Sequence, residues 1–267
     1  MSAARLLAMD LDGTLVGSDL KIRPRVKTAL DKAREQNVAG CIVTGRLYRA
    51  TRRFVAELHL SAPVICYQGA GIYEAATGAL LRAKPLCNEM TLRVARTAKD
   101  DGMHVQLYAG DDYFVEELTE YSELYARLAG VAPVVVGSLE EAFAHRDSLK
   151  IVLIARANRA ADYLSRARAL WGGEAYVTRS FPEFIEILNP TVNKGEALEF
   201  VCSHLGVSML DVVAIGDSWN DAPLLDAAGF SIAMGSAPPE LRSHADAVVS
   251  DAEHDGVAEA IYKYVLR

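Results

Sequence analysis

The sequence predicts an α/β protein in which a parallel sheet, assembled from both ends of the chain, carries a second α/β domain inserted between its halves. Three observations predict it. Short apolar runs alternate with helical periodicity up to about residue 83. From about Lys84 the rhythm changes to neighbouring strand pairs, and after Asn189-Pro190 the first rhythm returns. Successive β-α-β units imply parallel strands covered by helices on both faces, whereas paired neighbours imply an antiparallel sheet with helices on one side. The expected core is 1–83 with 190–267, and the expected insertion is 84–189.

Each element has a local reason. The apolar run Leu6–Met9 reads as a strand, followed by a helix over about 23–36 with Val26, Leu30 and Ala33 on one face. Pro24 sits near that helix start, where a missing N–H does no harm. A second strand, 38–43, ends in Thr44-Gly45-Arg46, and a further helix runs to about His59. A third apolar run, 64–67, ends in Gln68-Gly69-Ala70-Gly71. In the insertion, a helix over about 88–101 precedes strands 104–109 and 113–116 around the turn Gly110-Asp111-Asp112. Helix, strand, helix and strand follow through Ala155, then a helix over about 159–170 and the strand pair 175–179 and 184–188. The returning core supplies a helix over about 194–205, strands 212–215, 230–234 and 247–249, and a closing helix over about 257–265.

Composition bounds the function. Of 267 residues 51% are hydrophobic, a globular content, and the net charge of −7 argues against nucleic-acid binding, which wants a basic face. No apolar run reaches the length of a membrane span, and the amino terminus passes from Arg5 straight into a strand, without a signal peptide. The four cysteines, Cys41, Cys66, Cys87 and Cys202, are scattered, which suits a reducing cytosol better than a disulfide framework. A cytoplasmic protein is expected.

The chemistry concentrates at strand ends. In Met9-Asp10-Leu11-Asp12-Gly13-Thr14, alternation along a strand would bring Asp10 and Asp12 out together at its carboxyl end, where open α/β sheets place ligands. Two adjacent carboxylates repel unless a cation lies between them, and Mg²⁺ is the natural oxygen-bound ion. One carboxylate is also able to attack phosphorus. Taken alone, the segment reads more readily as a strand ending in a polar turn. The Thr44 hydroxyl and the N–H groups of Gly45 and Arg46, at a helix start, suit a phosphate. Lys194 opens a helix, and Asp217 and Asp221 in Gly216-Asp217-Ser218-Trp219-Asn220-Asp221 end another strand. Singly, these are a turn, a solvated lysine and an N-cap; together they fall at one edge of one sheet.

DLDGTL, VTGR, NKG and GDSWND, in this order, resemble the four motifs of the haloacid dehalogenase superfamily. The insertion resembles the larger cap of its Cof-type sugar-phosphate phosphatase branch, and AMGSAPPELRSHADAVVSDAEHDGVAEAI resembles its carboxyl-terminal signature. The resemblance implies a Rossmann-like parallel core with an α/β cap and a Mg²⁺-dependent phosphatase acting on a small phosphorylated metabolite such as a sugar phosphate. Asp10 would be the nucleophile that forms an aspartyl-phosphate, and Asp12 the acid and then the base. Metal would be held by Asp10, the backbone carbonyl of Asp12 and Asp217, with Asp221 in support. Thr44, Lys194 and Asn220 would contact the phosphoryl group, beside Gly45 and Arg46. Three positions depart from the family pattern, each on the substrate side: Gln68 where Asn is common, Ser236 where many have Asn, and His254 where an acid or amide is usual.

A phosphomutase shares this architecture, and a phospho-receiver module also gathers acids with Thr and Lys, although it needs neither Asp12 nor a large insertion. Gly69-Ala70-Gly71 lacks the third glycine of a dinucleotide fingerprint. Arg49, Arg52 and Arg53 read as a solvated face, and Trp171 and Trp219 as packing residues. The cap loops Gly110–Asp112 and Ser180–Glu183, with Asp112 and Glu183, are the candidates for substrate choice.

Overall fold

The computed structural model describes residues 4–155, 157–181 and 183–266. Residues 1–3 and 267 of the expected core, and Arg156 and Pro182 of the expected insertion, lie outside these; Pro182 belongs to one candidate cap loop.

The first stretch runs β1 (Leu6–Met9), α1 (Pro24–Glu35), β2 (Ala39–Ile42), α2 (Tyr48–Glu57), β3 (Val64–Cys66), β4 (Gly71–Tyr73) and β5 (Leu80–Ala83). The middle runs α3 (Asn88–Asp100), β6 (His104–Ala109), β7 (Asp112–Val115), α4 (Glu120–Ala129), β8 (Val134–Val135), α5 (Leu139–Ala142) and β9 (Lys150–Ile154). It continues with α6 (Ala160–Trp171), β10 (Tyr176–Arg179) and β11 (Phe184–Leu188). The last stretch runs α7 (Lys194–Leu205), β12 (Val212–Gly216), α8 (Ala222–Ala227), β13 (Phe230–Met234), α9 (Pro239–His244), β14 (Ala247–Val249) and α10 (Gly256–Ala260). A wider turn, Ile261–Val265, prolongs α10.

These elements form two compact units. One takes in the amino-terminal stretch to Gly45, Arg52–Leu81 and the stretch from Asn193 onward; the other takes in Arg46–Thr51 and Arg82–Val192. The first unit holds a parallel sheet in the order β14-β13-β12-β1-β2. Every residue of β1 and β12 is buried, as expected for strands covered on both faces. Leu6, Ala8, Val212 and Ala214 pack on Leu198 and Val201 of α7 and Leu224 of α8, while Leu7 adjoins Leu30 and Ala33 of α1.

The third apolar run does not extend this sheet. After three residues the chain reverses through left-handed backbone at Tyr67 (φ 52°) and Gln68 (φ 58°), so β4 folds back antiparallel on β3 in a small β3-β4-β5 sheet. A parallel bridge between Val43 and Ile65 ties it to β2.

The second unit holds a sheet in the order β10-β11-β9-β6-β7-β8, antiparallel except for β7 with β8. Val105, Leu107, Ile151, Leu153, Ile185 and Ile187 face α3, α5 and α6, where Trp171 is buried. The expectation of helices on one side only is corrected by α4, whose Tyr125 meets Tyr108, Tyr113 and Phe184 on the opposite face. Thr119 starts that helix with a capping box to Ser122, and its hydroxyl lies 3.2 Å from His104 Nδ1. The same face buries a polar row that the apolar pattern hides. Lys150 meets Glu186 at 3.4 Å, Ser180 donates to Glu186 at 2.6 Å, and the Tyr108 hydroxyl donates to Gln106 at 2.9 Å.

At the carboxyl end, Glu259 fastens α10 to the end of β14. It accepts from Ser250 N (2.9 Å), Ser250 Oγ (2.7 Å) and Lys263 Nζ (2.5 Å), which lower its pKa to about 2. A carboxyl whose folded pKa is depressed adds stability above its unfolded pKa and loses it as pH falls towards the folded one. Glu259→Gln is therefore expected to lower the melting temperature at pH 7, by an effect of at most about 1 kcal/mol because the group is partly solvated. The difference should shrink below about pH 4.5 and vanish near pH 2 in thermal unfolding followed by circular dichroism. A difference independent of pH would rule out the carboxylate as its source.

Candidate active site

Strand register collects the site. Met9 lies opposite Ile42 on one side and Ile215 on the other, so the residues just past these three strand ends sit at one level. Asp10 donates its N–H to Ile215 O at 3.0 Å, and Val43 donates to Met9 O at 2.8 Å. The chain leaves β1 for β2 on one side and returns to β12 on the other, which makes this the topological switch point of the sheet. Asp10 and Asp12 do not alternate along one strand as expected: β1 ends at Met9, and Asp12 lies in the following turn, bridged to Val16. Gly13 makes that turn possible, with φ +86° and a position where any Cβ would collide with the Asp217 carboxylate.

At the centre lies a buried cation between two anions. Lys194 Nζ donates to Asp10 Oδ1 and Asp221 Oδ1, each at 2.5 Å, and its side chain is wholly inaccessible. It stands at the first position of α7, where the helix dipole disfavours a cation. The N-cap is supplied separately by Asn193, which accepts from Glu196 N at 2.9 Å. The two carboxylates raise the Lys194 pKa against the opposing effect of burial, so the ammonium stays charged. Asp221 is saturated: its other oxygen accepts from Asp217 N (3.0 Å) and Ser218 N (2.9 Å). Asp217 accepts from Thr14 Oγ1 at 2.9 Å, a partner that the sequence reading did not single out.

Carboxylate oxygens of Asp10, Asp217 and Asp221 lie within 4.8 Å of one another. Three carboxylates against one ammonium leave two negative charges, the complement of one divalent cation. The donor set is hard oxygen, which suits such an ion. Burial pushes the Asp10 carboxyl well above the usual range despite Lys194, and burial with the Asp221 charge pushes Asp217 up to about 7. Since Asp221 spends both oxygens on protein donors, Asp10 and Asp217 are the carboxylates left to a cation. The Asp12 side chain is not part of this group, and the ligand expected of Asp12 is its backbone carbonyl.

Of the residues expected to hold phosphate, Thr44 is buried just past the end of β2 and donates its N–H to Ile65 O at 2.8 Å. The helix expected to begin at Gly45 and Arg46 begins instead at Tyr48. The Arg46 side chain, itself part of the second unit, donates to Ala129 O at 3.3 Å. Arg49, expected on a solvated face, donates its N–H to Asp111 and pairs with Asp112 at 2.8 Å. Asp112, a candidate substrate contact, is thus an ion-pair partner. Asn220 is buried and donates to Gln68 Oε1 at 3.0 Å. Trp219, read as a packing residue, is 45% exposed.

A family model for haloacid dehalogenase-like hydrolases matches residues 7–261. The chain belongs to that family. It is similar to a pyridoxal phosphate phosphatase of Escherichia coli, 28% identical over 98% of this chain and 99% of the relative. It is also similar to a phosphoglycolate phosphatase of Methanothermobacter thermautotrophicus, 30% identical over 98% of this chain and 99% of the relative. A haloacid dehalogenase-like hydrolase of Bacteroides thetaiotaomicron shares the fold with a TM-score of 0.86, 25% identity, and coverage of 97% of this chain and 99% of that one. The enzyme is a phosphoric monoester hydrolase. No helix among the described residues is long and apolar enough to cross a membrane.

The raised carboxyls give a pH signature. A carboxyl whose folded pKa is raised contributes stability at low pH and loses it as pH rises through the folded value, here about 7 for Asp217. A divalent cation bound there would remove that cost by replacing the protons. Stabilisation by added divalent cation is therefore expected to grow from pH 5.5 to pH 8.5, reaching roughly 5 °C in melting temperature. Asp217→Asn should raise the cation-free melting temperature at pH 8.5 and flatten the cation response. A cation response of equal size at both pH values would overturn the assignment.

Proposed function

We propose that this hydrolase is a Mg²⁺-dependent phosphatase of small phosphate monoesters, with sugar phosphates the first class to examine, working through an aspartyl-phosphate on Asp10. The observation that carries the reading is Lys194, buried and clamped between Asp10 and Asp221 beside Asp217. The similarity to phosphatases of pyridoxal phosphate and phosphoglycolate, both small monoesters, supports the substrate class.

Asp10, Asp217 and the Asp12 carbonyl would hold the ion, which, when bound, supplies Lewis-acid stabilisation of charge on the phosphoryl oxygens. The protein residues account for the remaining chemistry. Lys194 fixes one oxygen of Asp10 and opposes, without overcoming, the burial that favours its acid form. In the first step a carboxylate oxygen of Asp10 bonds to phosphorus as the ester P–O bond breaks. Asp12 gives its proton to the departing alkoxide. In the second step Asp12, now a carboxylate, takes a proton from water as the water oxygen bonds to phosphorus. The acyl-phosphate bond breaks and Asp10 is released. Thr44, Gly45, Arg46, Lys194 and Asn220 would receive the phosphoryl oxygens, with Arg46 acting through its backbone N–H because its side chain is engaged elsewhere.

Asp10→Asn is expected to lower turnover by more than about 10³-fold, since an amide neither attacks phosphorus nor binds the ion. Phosphate release near the wild-type rate would end the mechanism, and so would full activity in EDTA. Asp12→Asn should behave differently on an aryl phosphate with a good leaving group. A burst of one phenol per site is expected, followed by a slow steady rate. Equal loss in both variants without a burst would contradict the two roles. Conversion of a hexose phosphate to an isomer without phosphate release would instead establish a mutase.

A further inference from the structure

We propose that Gln68 is a positioning residue of the phosphate site, holding Asn220 and the Thr44-Gly45 turn in register with each other; the role rests on the phosphatase reading above. Gln68 is fully buried, an uncommon place for a primary amide, and sits on left-handed backbone next to a second left-handed residue, Tyr67. Neither is a glycine, and neither is among the residues that adopt this region readily. Strain of this kind persists only where the surroundings over-determine it, and it gathers at functional sites.

Three contacts show what the strained turn accomplishes. Gln68 N donates to Thr44 O at 3.0 Å, which ties it to the residue that ends β2. Its carboxamide closes on Gly45 so tightly that a Cβ at that position would collide with Nε2. Its Oε1 accepts from Asn220 Nδ2 at 3.0 Å, across 152 residues of sequence. The turn also packs on α7, the helix that presents Lys194. One side chain thus joins segments that follow β2 and β12.

The state in which it leaves Asn220 points to a ligand. Asn220 is 5% exposed, its Nδ2 is committed to Gln68, and its Oδ1 has no hydrogen-bond partner. A buried amide oxygen without a donor is costly. Gln68 fixes the carboxamide plane, so that Oδ1 and the second amide hydrogen stay directed to whatever binds. A group that supports a binding residue in this way commonly matters tenfold to a hundredfold.

The test uses the full chain with two variants that delete the carboxamide differently. Gln68→Gly relieves the backbone, whereas Gln68→Met keeps the volume and the strain. Readouts are kcat/KM for an aryl phosphate and the inhibition constant of inorganic phosphate, each with and without Asn220→Ala. Both variants are expected to lose about tenfold in kcat/KM and a similar factor in phosphate affinity. Adding Asn220→Ala should then cost less than about twofold, because its support is already gone. Wild-type constants in either folded variant, or losses that multiply in the double variant, would overturn the role. A wild-type protein that neither binds phosphate nor hydrolyses the ester would instead overturn the phosphatase reading, and this role with it. Asp10→Asn separates the two cases, since it should be inactive yet still bind phosphate through an intact Gln68–Asn220 pair.

Discussion

The Lys194 ammonium, enclosed by Asp10 and Asp221, organises this molecule. Two carboxylates from separate strand ends cannot be buried together without a counter-charge, since each lost hydration shell must be replaced. Lys194 supplies that charge from the start of α7, a helix that only enters after the second unit has been traversed. The cluster therefore joins three distant stretches of chain, and removing Lys194 would leave two buried carboxyls without their counter-charge. Burial, with the neighbouring carboxylates adding to it, still raises the pKa values of Asp10 and Asp217. In the proposed mechanism a cation would complete this cluster and a phosphoryl group would bind beside it.

Around this cluster the backbone is shaped to permit close approach. Gly13 lets the turn after β1 lie against Asp217, and Thr14 in the same turn donates to it. Asp221 closes its own turn by accepting from two backbone N–H groups, which leaves its charge for Lys194 alone. On the phosphate side the left-handed pair Tyr67 and Gln68 costs on the order of 1 kcal/mol per residue. That cost is offset by the packing of β3 and β4 and of α7 around it. In the proposed mechanism, fixed turns here would keep the donors aimed, on which phosphoryl transfer depends.

The second unit carries a different chemistry. Its helix-facing sheet surface is apolar, while the opposite surface buries Gln106, Lys150, Thr178 and Glu186 among tyrosines. A polar sheet face of this kind holds its side chains in fixed positions through mutual bonds, as Ser180, Glu186 and Lys150 do. Nothing in the local pattern announces it, because Lys150 and Glu186 are ordinary strand positions until β9 and β11 pair.

Periodicity alone placed most elements: β6, β11, β13, β14 and α7 begin and end where the pattern changes. Asp10, Thr44, Lys194, Asp217 and Asp221 were legible because each follows an apolar run or opens a helix, whereas Asn220 was indicated only by the family resemblance. Local sequence determines such places, through strand burial, helix starts and the turn chemistry of glycine. Pairing decided the rest. The run 64–67 reads like a core strand, yet the reversal at Gln68 sends it into a separate small sheet; only the tertiary contacts that hold Gln68 left-handed specify that turn. Asp12 reads as a strand residue, yet β1 ends before it because the chain must curl for Gly13 to meet Asp217. The carboxyl pKa values, the saturation of Asp221 and the engagement of Arg46 with Ala129 depend on groups far apart in the chain. Charge–charge energies fall with distance and rise with burial, and sequence specifies neither until the strands are in register.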